Sequence, residues 1–288
     1  MAETTNIGWC DGTLNFWIGC TKVSVGEHGA CTDCYAEAWA KRYYPAAQWG
    51  DYPRKRTAQT TWDQARAWDK KAVREGTRPF IFVNSLADIF DNQVDPAWRA
   101  DAFALMRETP HLVWLLLTKR PQNIASMCDK AGGLPPNAAL GCTVVTQREV
   151  ARDVPHLLAA DLRHEAMFRF LSIEPMMGPI DLAAVDFEHE AFGLRIGGRG
   201  IDWVICGGLI GPRWREHELP EAWAHSLRDQ CQEAGLPFYF KQWSALRPKG
   251  RGCELDGREW KERPKVAPFA SAAPATPSPQ PVSGELFG

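Results

Sequence analysis

Seven short apolar runs recur along the chain, each four to seven residues long, and most end in glycine or a polar residue. They are Leu14–Gly19, Phe80–Asn84, Val113–Thr118, Ala139–Val145, Phe168–Glu174, Trp203–Gly208 and Phe238–Lys241. Near-continuous hydrophobicity over this length suits strands buried on both faces, the condition of a parallel sheet covered by helices. The intervening segments Cys34–Tyr43, Thr61–Glu75, Pro96–Glu108, Gln122–Ala131, Gln147–Ala160 and Pro220–Ala234 have helical character. Asp95 followed by Pro96 reads as an N-cap with proline at the first helical position, and Gly235 as a C-terminal stop. Such alternation implies an α/β fold with right-handed crossovers, either a doubly wound sheet or a closed or partial (β/α) barrel. Periodicity does not choose between them.

Two stretches break the pattern. Asp181–Gly200, with Gly197, Gly198 and Gly200, reads as a loop or short hairpin inserted between the fifth and sixth runs. Pro264–Gly288 carries six prolines among Ala and Ser, a composition that cannot bury a core and predicts a disordered tail. The expected organisation is one barrel over 1–250, an extension over 251–263 and the tail over 264–288.

Composition excludes several classes. At 288 residues, 45% hydrophobic and 24% charged, the chain is neither wholly disordered nor collagen-like. The net charge of -2 gives no global basic field for nucleic acid or anionic membrane, although a local basic groove stays open. The longest apolar runs, such as Val113–Leu117, fall far short of the ~20 residues that span a bilayer. Met1–Trp9 lacks a basic start and a signal-like apolar stretch, so the expected location is the cytoplasm. Nine cysteines, an odd number in a chain large enough to fold unstapled, point to reduced thiols or metal ligands.

Their spacing is the main chemical clue. Asn15-Phe-Trp-Ile-Gly-Cys20 is followed after ten residues by Cys31-Thr-Asp-Cys34-Tyr35-Ala36-Glu37. Three thiols therefore sit in one strand-to-helix connection, and thiolates are soft ligands for iron–sulfur clusters or zinc. A four-iron cluster with one open iron needs only three cysteines. Alternatively, Cys10 completes a four-cysteine zinc site in a non-catalytic nucleic-acid or protein adaptor. Cys128, Cys142, Cys206, Cys231 and Cys253 are scattered singly and read as buried apolar residues.

On Asn15, Gly19, Cys20, Cys31, Cys34, Tyr35 and Ala36 the chain resembles the radical S-adenosylmethionine (radical SAM) superfamily, most closely its spore-photoproduct-lyase-like branch. Asn84-Ser-Leu-Ala-Asp88, Leu117-Thr-Lys-Arg-Pro121, Ser172-Ile-Glu-Pro175 and Phe240-Lys-Gln-Trp243 are similar to a bacteriophage-associated, three-cysteine-motif family of uncharacterised function. The resemblance spans about residues 6–245. One departure is the ten-residue gap between Cys20 and Cys31, where the common superfamily spacing is three and then two.

The resemblance implies a partial (β/α) barrel of six to seven parallel strands with its cluster at the C-terminal rim, where barrel active sites sit. It implies a 4Fe-4S cluster on Cys20, Cys31 and Cys34, and S-adenosylmethionine on the open iron. An electron from flavodoxin or ferredoxin would then yield a 5′-deoxyadenosyl radical that takes hydrogen from the substrate, a nucleobase or nucleic acid being the class suggested. Tyr35 joins the cofactor-binding set through the matched motif.

Polar residues at the ends of the runs are further candidates, each with a structural alternative. Asn84, Ser85 and Asp88 can hold a cofactor ammonium or ribose, or cap a turn. Thr118, Lys119 and Arg120 can bind a carboxylate or phosphate, or form a solvated pair before Pro121. Ser172 and Glu174 punctuate an apolar run, and a carboxylate there calls for a ribose, an ammonium or Lys241 as partner. Glu174 and Lys241 are the catalytic candidates, Lys241 also reading as a snorkelling surface residue. Gly207 and Gly208 allow close approach to a ligand or a tight turn. Trp9, Trp17, Trp39 and Trp243 can wall a stacking site or pack the core.

Overall fold

The computed structural model describes residues 5–23, 29–44, 49–184, 200–267 and 269. Seven strands form one sheet: β1 (Gly12–Leu14), β4 (Phe80–Val83), β5 (Val113–Thr118), β6 (Ala138–Thr143), β7 (Arg169–Ile173), β8 (Trp203–Cys206) and β9 (Phe238–Phe240). Every neighbouring pair is parallel, and spatial order follows chain order. Each crossover therefore steps one strand further in the same direction. A doubly wound sheet would reverse at a switch point, so the order selects the barrel alternative. With β1 and β9 at opposite edges, the sheet curls into an open half-barrel.

Alternation along the strands explains their apolar character. Phe80, Phe82, Val113, Leu115, Phe170, Trp203 and Ile205 pack with Trp9 and Tyr239 in one cluster, on the face without helices. The residues between them, Ile81, Trp114, Leu116, Leu171 and Val204 among others, pack against the helices. Those helices are α1 (Tyr35–Tyr43), α2 (Gln59–Glu75), α3 (Pro96–Glu108), α4 (Ile124–Lys130), α5 (Gln147–Arg163) and α6 (Glu221–Glu233). Both faces are packed with apolar side chains, which is why the runs read as near-continuously hydrophobic; the buried polar residues Thr118, Thr143 and Ser172 come at or near the C-terminal ends of their strands. At Gly141 of β6 a Cβ would stand 2.4 Å from the Phe170 ring; glycine lets that ring cross the interior.

The local signals act as their chemistry dictates. The Asp95 side chain accepts from Ala97 N at 2.9 Å ahead of Pro96, and Gly235 takes φ 63° just beyond α6, a conformation glycine adopts without Cβ strain. Thr146 caps α5, and Glu149 accepts from Val145 N at 2.7 Å. Although Pro155 lies inside it, α5 continues to Arg163, past the predicted end at Ala160.

The first strand departs from the reading of Leu14–Gly19. The sheet strand is Gly12–Leu14; the chain then leaves the sheet, and β2 (Trp17–Ile18) pairs antiparallel with β3 (Lys55–Arg56). Asn84 Oδ1 takes Phe16 N at 2.8 Å, and Asn15 Oδ1 takes Leu86 N at 2.8 Å. Phe16 and Trp17 stay buried, but in the helical layer, so apolarity alone did not mark where the strand ended.

No described helix links β7 and β8, and residues 185–199 of the inserted segment lie outside the described residues. The extension folds back as a hairpin of β10 (Glu254–Leu255) and β11 (Arg258–Glu259). It covers the β9 edge through Phe240 N to Trp260 O at 2.9 Å and Glu262 N to Phe238 O at 3.2 Å, satisfying groups an open edge would expose. At the start of the proline-rich stretch Val266 packs beneath the sheet and Ala267 O accepts from Arg78; residue 268 and residues 270–288 lie outside the described residues. No helix among the described residues is long and apolar enough to cross a membrane.

Candidate functional site

The C-terminal ends of the strands open onto a cavity of about 340 Å³. Two segments bring three thiols to it. Cys20 follows β2 at Gly19, whose φ of 110° turns the chain beside Ala87. Cys31 and Cys34 precede α1, and Cys34 is its N-cap residue with a side chain that makes no capping bond. Among the described residues no three His, Cys, Asp or Glu side chains are clustered to hold a metal ion. Cys10 does not line the cavity; it is buried in the interior cluster with its sulfur 3.5 Å from Ile7 O.

Around the thiols stand Tyr35, Asn84, Ser85, Asp88, Thr118, Lys119, Ser172, Glu174, Gly208 and Lys241, every one of which lines the same cavity. Their partners differ. Asn84 has φ 58° and is 2% exposed. Its Oδ1 is used by Phe16 N, while its Nδ2 is buried without a hydrogen-bond partner. Ser85 Oγ accepts from Asn15 Nδ2 at 3.1 Å, and Ser85 O from the Tyr35 hydroxyl at 3.2 Å. Both Asp88 oxygens are taken by protein donors: Oδ1 by Thr118 Oγ1 at 2.7 Å and Phe90 N at 2.9 Å, Oδ2 by Arg120 Nη1 at 3.0 Å and Lys119 N at 3.1 Å.

Arg120 is neither solvated nor turned to the cavity centre as half of a cationic pair with Lys119. It is 2% exposed, because its guanidinium satisfies Asp88 and Thr21 O (2.5 Å) and reaches Cys20 Sγ at 3.6 Å. Lys119 instead reaches Thr143 Oγ1 at 3.4 Å. Burial, with the Asp88 carboxylate behind it, pushes the Cys20 thiol up to about 12, and Arg120 opposes that shift.

On the far side of the mouth Lys241 Nζ is paired with Glu174 Oε1. Gly207 lies between them: a Cβ there would meet Glu174 Cγ and Lys241 Cβ at 3.4 Å. Gly208 has a different reason to be glycine, since a Cβ would stand 2.2 Å from Ser244 N. Its close approach is to the chain after β9. Ser172 is buried at the end of β7.

Three more ion pairs lie in the cysteine segment and the helix after it. Glu37 of α1 meets Lys22 at 2.8 Å and Lys41 at 2.7 Å, and its carboxyl is held below its ordinary range by those two ammoniums. Asp33, between Cys31 and Cys34, pairs with Arg213 at 2.5 Å. Of the four tryptophans read as stacking candidates, only Trp9 lines the cavity; Trp17 packs in the helical layer, Trp39 is exposed on α1, and Trp243 packs on Phe240. Trp49, Lys22, Thr143 and Gln242 also line it and were not singled out. Thr143 and Gln242 do follow the strand-end rule that selected the others.

The model of a family described as protein of unknown function (DUF5131) matches residues 4–264. A comparison with curated proteins gave no match. Among solved structures, spore photoproduct lyase complexed with dinucleoside spore photoproduct is similar at 10% sequence identity and a TM-score of 0.40, over 77% of this chain and 61% of that one.

Proposed function

From the premise that the chain belongs to the DUF5131 family, we propose that it is a radical S-adenosylmethionine enzyme. Cys20, Cys31 and Cys34 would hold a 4Fe-4S cluster, and S-adenosylmethionine would lie in the cavity. The observation that carries this reading is that all three motif cysteines line one cavity at the strand ends of a parallel half-barrel.

The residues present suit such groups. The thiols are set around a cavity, which accommodates a multi-atom cluster more readily than a single zinc ion drawing ligands to about 2.3 Å. The buried Asn84 amide N–H without a partner is a donor waiting for a polar ligand. When bound, the cluster and S-adenosylmethionine supply a one-electron cleavage of the sulfonium bond and a 5′-deoxyadenosyl radical.

The chain's own residues do the rest. Asn84 Nδ2, Ser85 and the Tyr35 hydroxyl orient polar groups of the cofactor. Lys119, which meets a hydroxyl where Lys22, Arg120 and Lys241 meet carboxylates, is placed to receive a carboxylate or phosphate. Glu174 and Lys241 position the substrate against the cofactor. Trp9, Phe82, Leu117 and Trp49 wall the cavity and exclude water from a reactive intermediate. The substrate class is a nucleobase or nucleic acid, and the electron donor is flavodoxin or ferredoxin.

The test is anaerobic purification and iron–sulfur reconstitution, then dithionite reduction with S-adenosylmethionine and chromatography for 5′-deoxyadenosine. The expected result is product from the wild type and none from Cys31→Ala. A colourless protein with tightly bound zinc, or equal iron in both, overturns the reading.

A further inference from the structure

The three motif cysteines have unequal surroundings. Cys20 is the one whose sulfur meets a guanidinium, Arg120 Nη1, at 3.6 Å. Arg120 cannot swing away: Nη1 also donates to Asp88 Oδ2 at 3.0 Å, Nη2 donates to Thr21 O at 2.5 Å, and Asp91 Oδ1 lies 3.9 Å off. Asp91 is 0% exposed and accepts from Arg54 Nε at 2.7 Å, and Arg54 Nη2 donates to Thr21 Oγ1 at 2.6 Å. The chain Asp88–Arg120–Asp91–Arg54 is thus a buried row of alternating charge. It clamps the backbone and side chain of Thr21 and presents one guanidinium edge to the Cys20 sulfur.

Two physical consequences follow. A hydrogen bond fixed by a neutralised, buried network is preorganised, so it orients a metal-binding sulfur without rearrangement. A donor and a positive charge on a cluster sulfur favour the reduced, more negative cluster, because the added electron is stabilised by both. Neither Cys31 nor Cys34 has a comparable guanidinium contact among the described residues.

We propose that Arg120 is a positioning residue that aims the Cys20 sulfur into the site and raises the reduction potential of the cluster bound there, rather than a contact for a substrate anion. This rests on the reading that Cys20, Cys31 and Cys34 hold a 4Fe-4S cluster.

The full chain, reconstituted anaerobically, is compared as wild type, Arg120→Lys, Arg120→Gln and Lys119→Gln. Iron and sulfide content, and the cluster midpoint from a dithionite titration followed by EPR, are measured without S-adenosylmethionine. Both Arg120 variants are expected to shift the midpoint to more negative potential, Arg120→Gln further, with lower cluster occupancy. Lys119→Gln, which removes a cation of the same cavity that touches no cysteine, is expected to shift the midpoint less than either Arg120 variant. If Arg120→Gln fails to fold by circular dichroism, Arg120→Lys decides, since it keeps the charge and loses the planar fork. An unchanged midpoint at full occupancy, or an equal shift in Lys119→Gln, overturns the proposal while leaving the cluster reading standing. A wild type that takes up no iron removes the cluster reading, and this inference with it, before any variant is examined.

Discussion

Glu174 and Lys241, which follow β7 and β9, form an ion pair across the end of the strand between them, and Gly207 supplies the space they share. The pair borders the cavity that holds the three motif cysteines. Glu174→Gln keeps the volume and removes the charge. The expected outcome is full cluster content with cofactor affinity or turnover lower by about tenfold or more, the equivalent of one charge-assisted hydrogen bond. Equilibrium binding of S-adenosylmethionine and the rate of 5′-deoxyadenosine formation check this; unchanged values return the pair to a structural role.

Cys10 and Cys20 separate the three-thiol site from a four-thiol one. Cys20→Ala is expected to lose most bound iron while remaining folded, because its residue sits on the barrel rim. Cys10→Ala is expected to keep wild-type iron, since its sulfur faces Ile7 O in the interior. Iron analysis beside circular dichroism reads both; iron loss in Cys10→Ala would restore a four-cysteine site.

Gly208 is constrained by protein packing. Gly208→Ala would place a methyl 2.2 Å from Ser244 N, against a segment locked by Ser244 Oγ to Leu209 N and Leu219 N at 3.1 and 3.0 Å. Backbone cannot yield as a side-chain tip can, so a loss of about 1–3 kcal/mol is expected. The urea midpoint of the metal-free chain measures it, and an unchanged midpoint refutes the packing account.

Arg54 and Asp91 are both buried, with Arg54 Nε 2.7 Å from Asp91 Oδ2. Arg54→Met leaves Asp91 with the more distant Arg120 at 3.9 Å. A destabilisation of about 3–5 kcal/mol is expected from the exposed imbalance of buried charge. Chemical denaturation of wild type and variant in parallel gives the difference; a value near zero would mean that Arg120 moves in to replace it.

Asp95→Ala removes the side chain that accepts from Ala97 N at the start of α3. About 1 kcal/mol is the expected cost, read from thermal or urea unfolding, with no change in iron content because α3 lies outside the cavity lining.

Much of this was legible along the chain. Runs such as Val113–Thr118 and helices such as Pro96–Glu108 could be located because burial on two faces and capping chemistry are local requirements that residue types must meet. The strand-end rule also found Asn84, Ser85, Thr118, Ser172, Glu174 and Lys241, which share one cavity. It brought Arg120 to the same cavity but left a solvated pair open, and the burial of that guanidinium on Asp88 is not announced by its sequence neighbours Lys119 and Pro121.

The sequence by itself determined the α/β class, six of the seven sheet strands, the six helices and the thiol spacing, because hydrophobic period, caps and motif positions are properties of short segments. Tertiary structure bore out the half-barrel that the resemblance implied and periodicity left open, and it alone decided that the chain leaves the sheet after Leu14 and that Arg120 turns to Cys20 while Lys119 does not. Those outcomes depend on which distant groups reach each other once strands are stacked: Asn84 on Phe16, Ser244 on Gly208, Asp88 on Arg120. A buried charge takes whatever partner the fold delivers, and that partner is not written next to it in the chain.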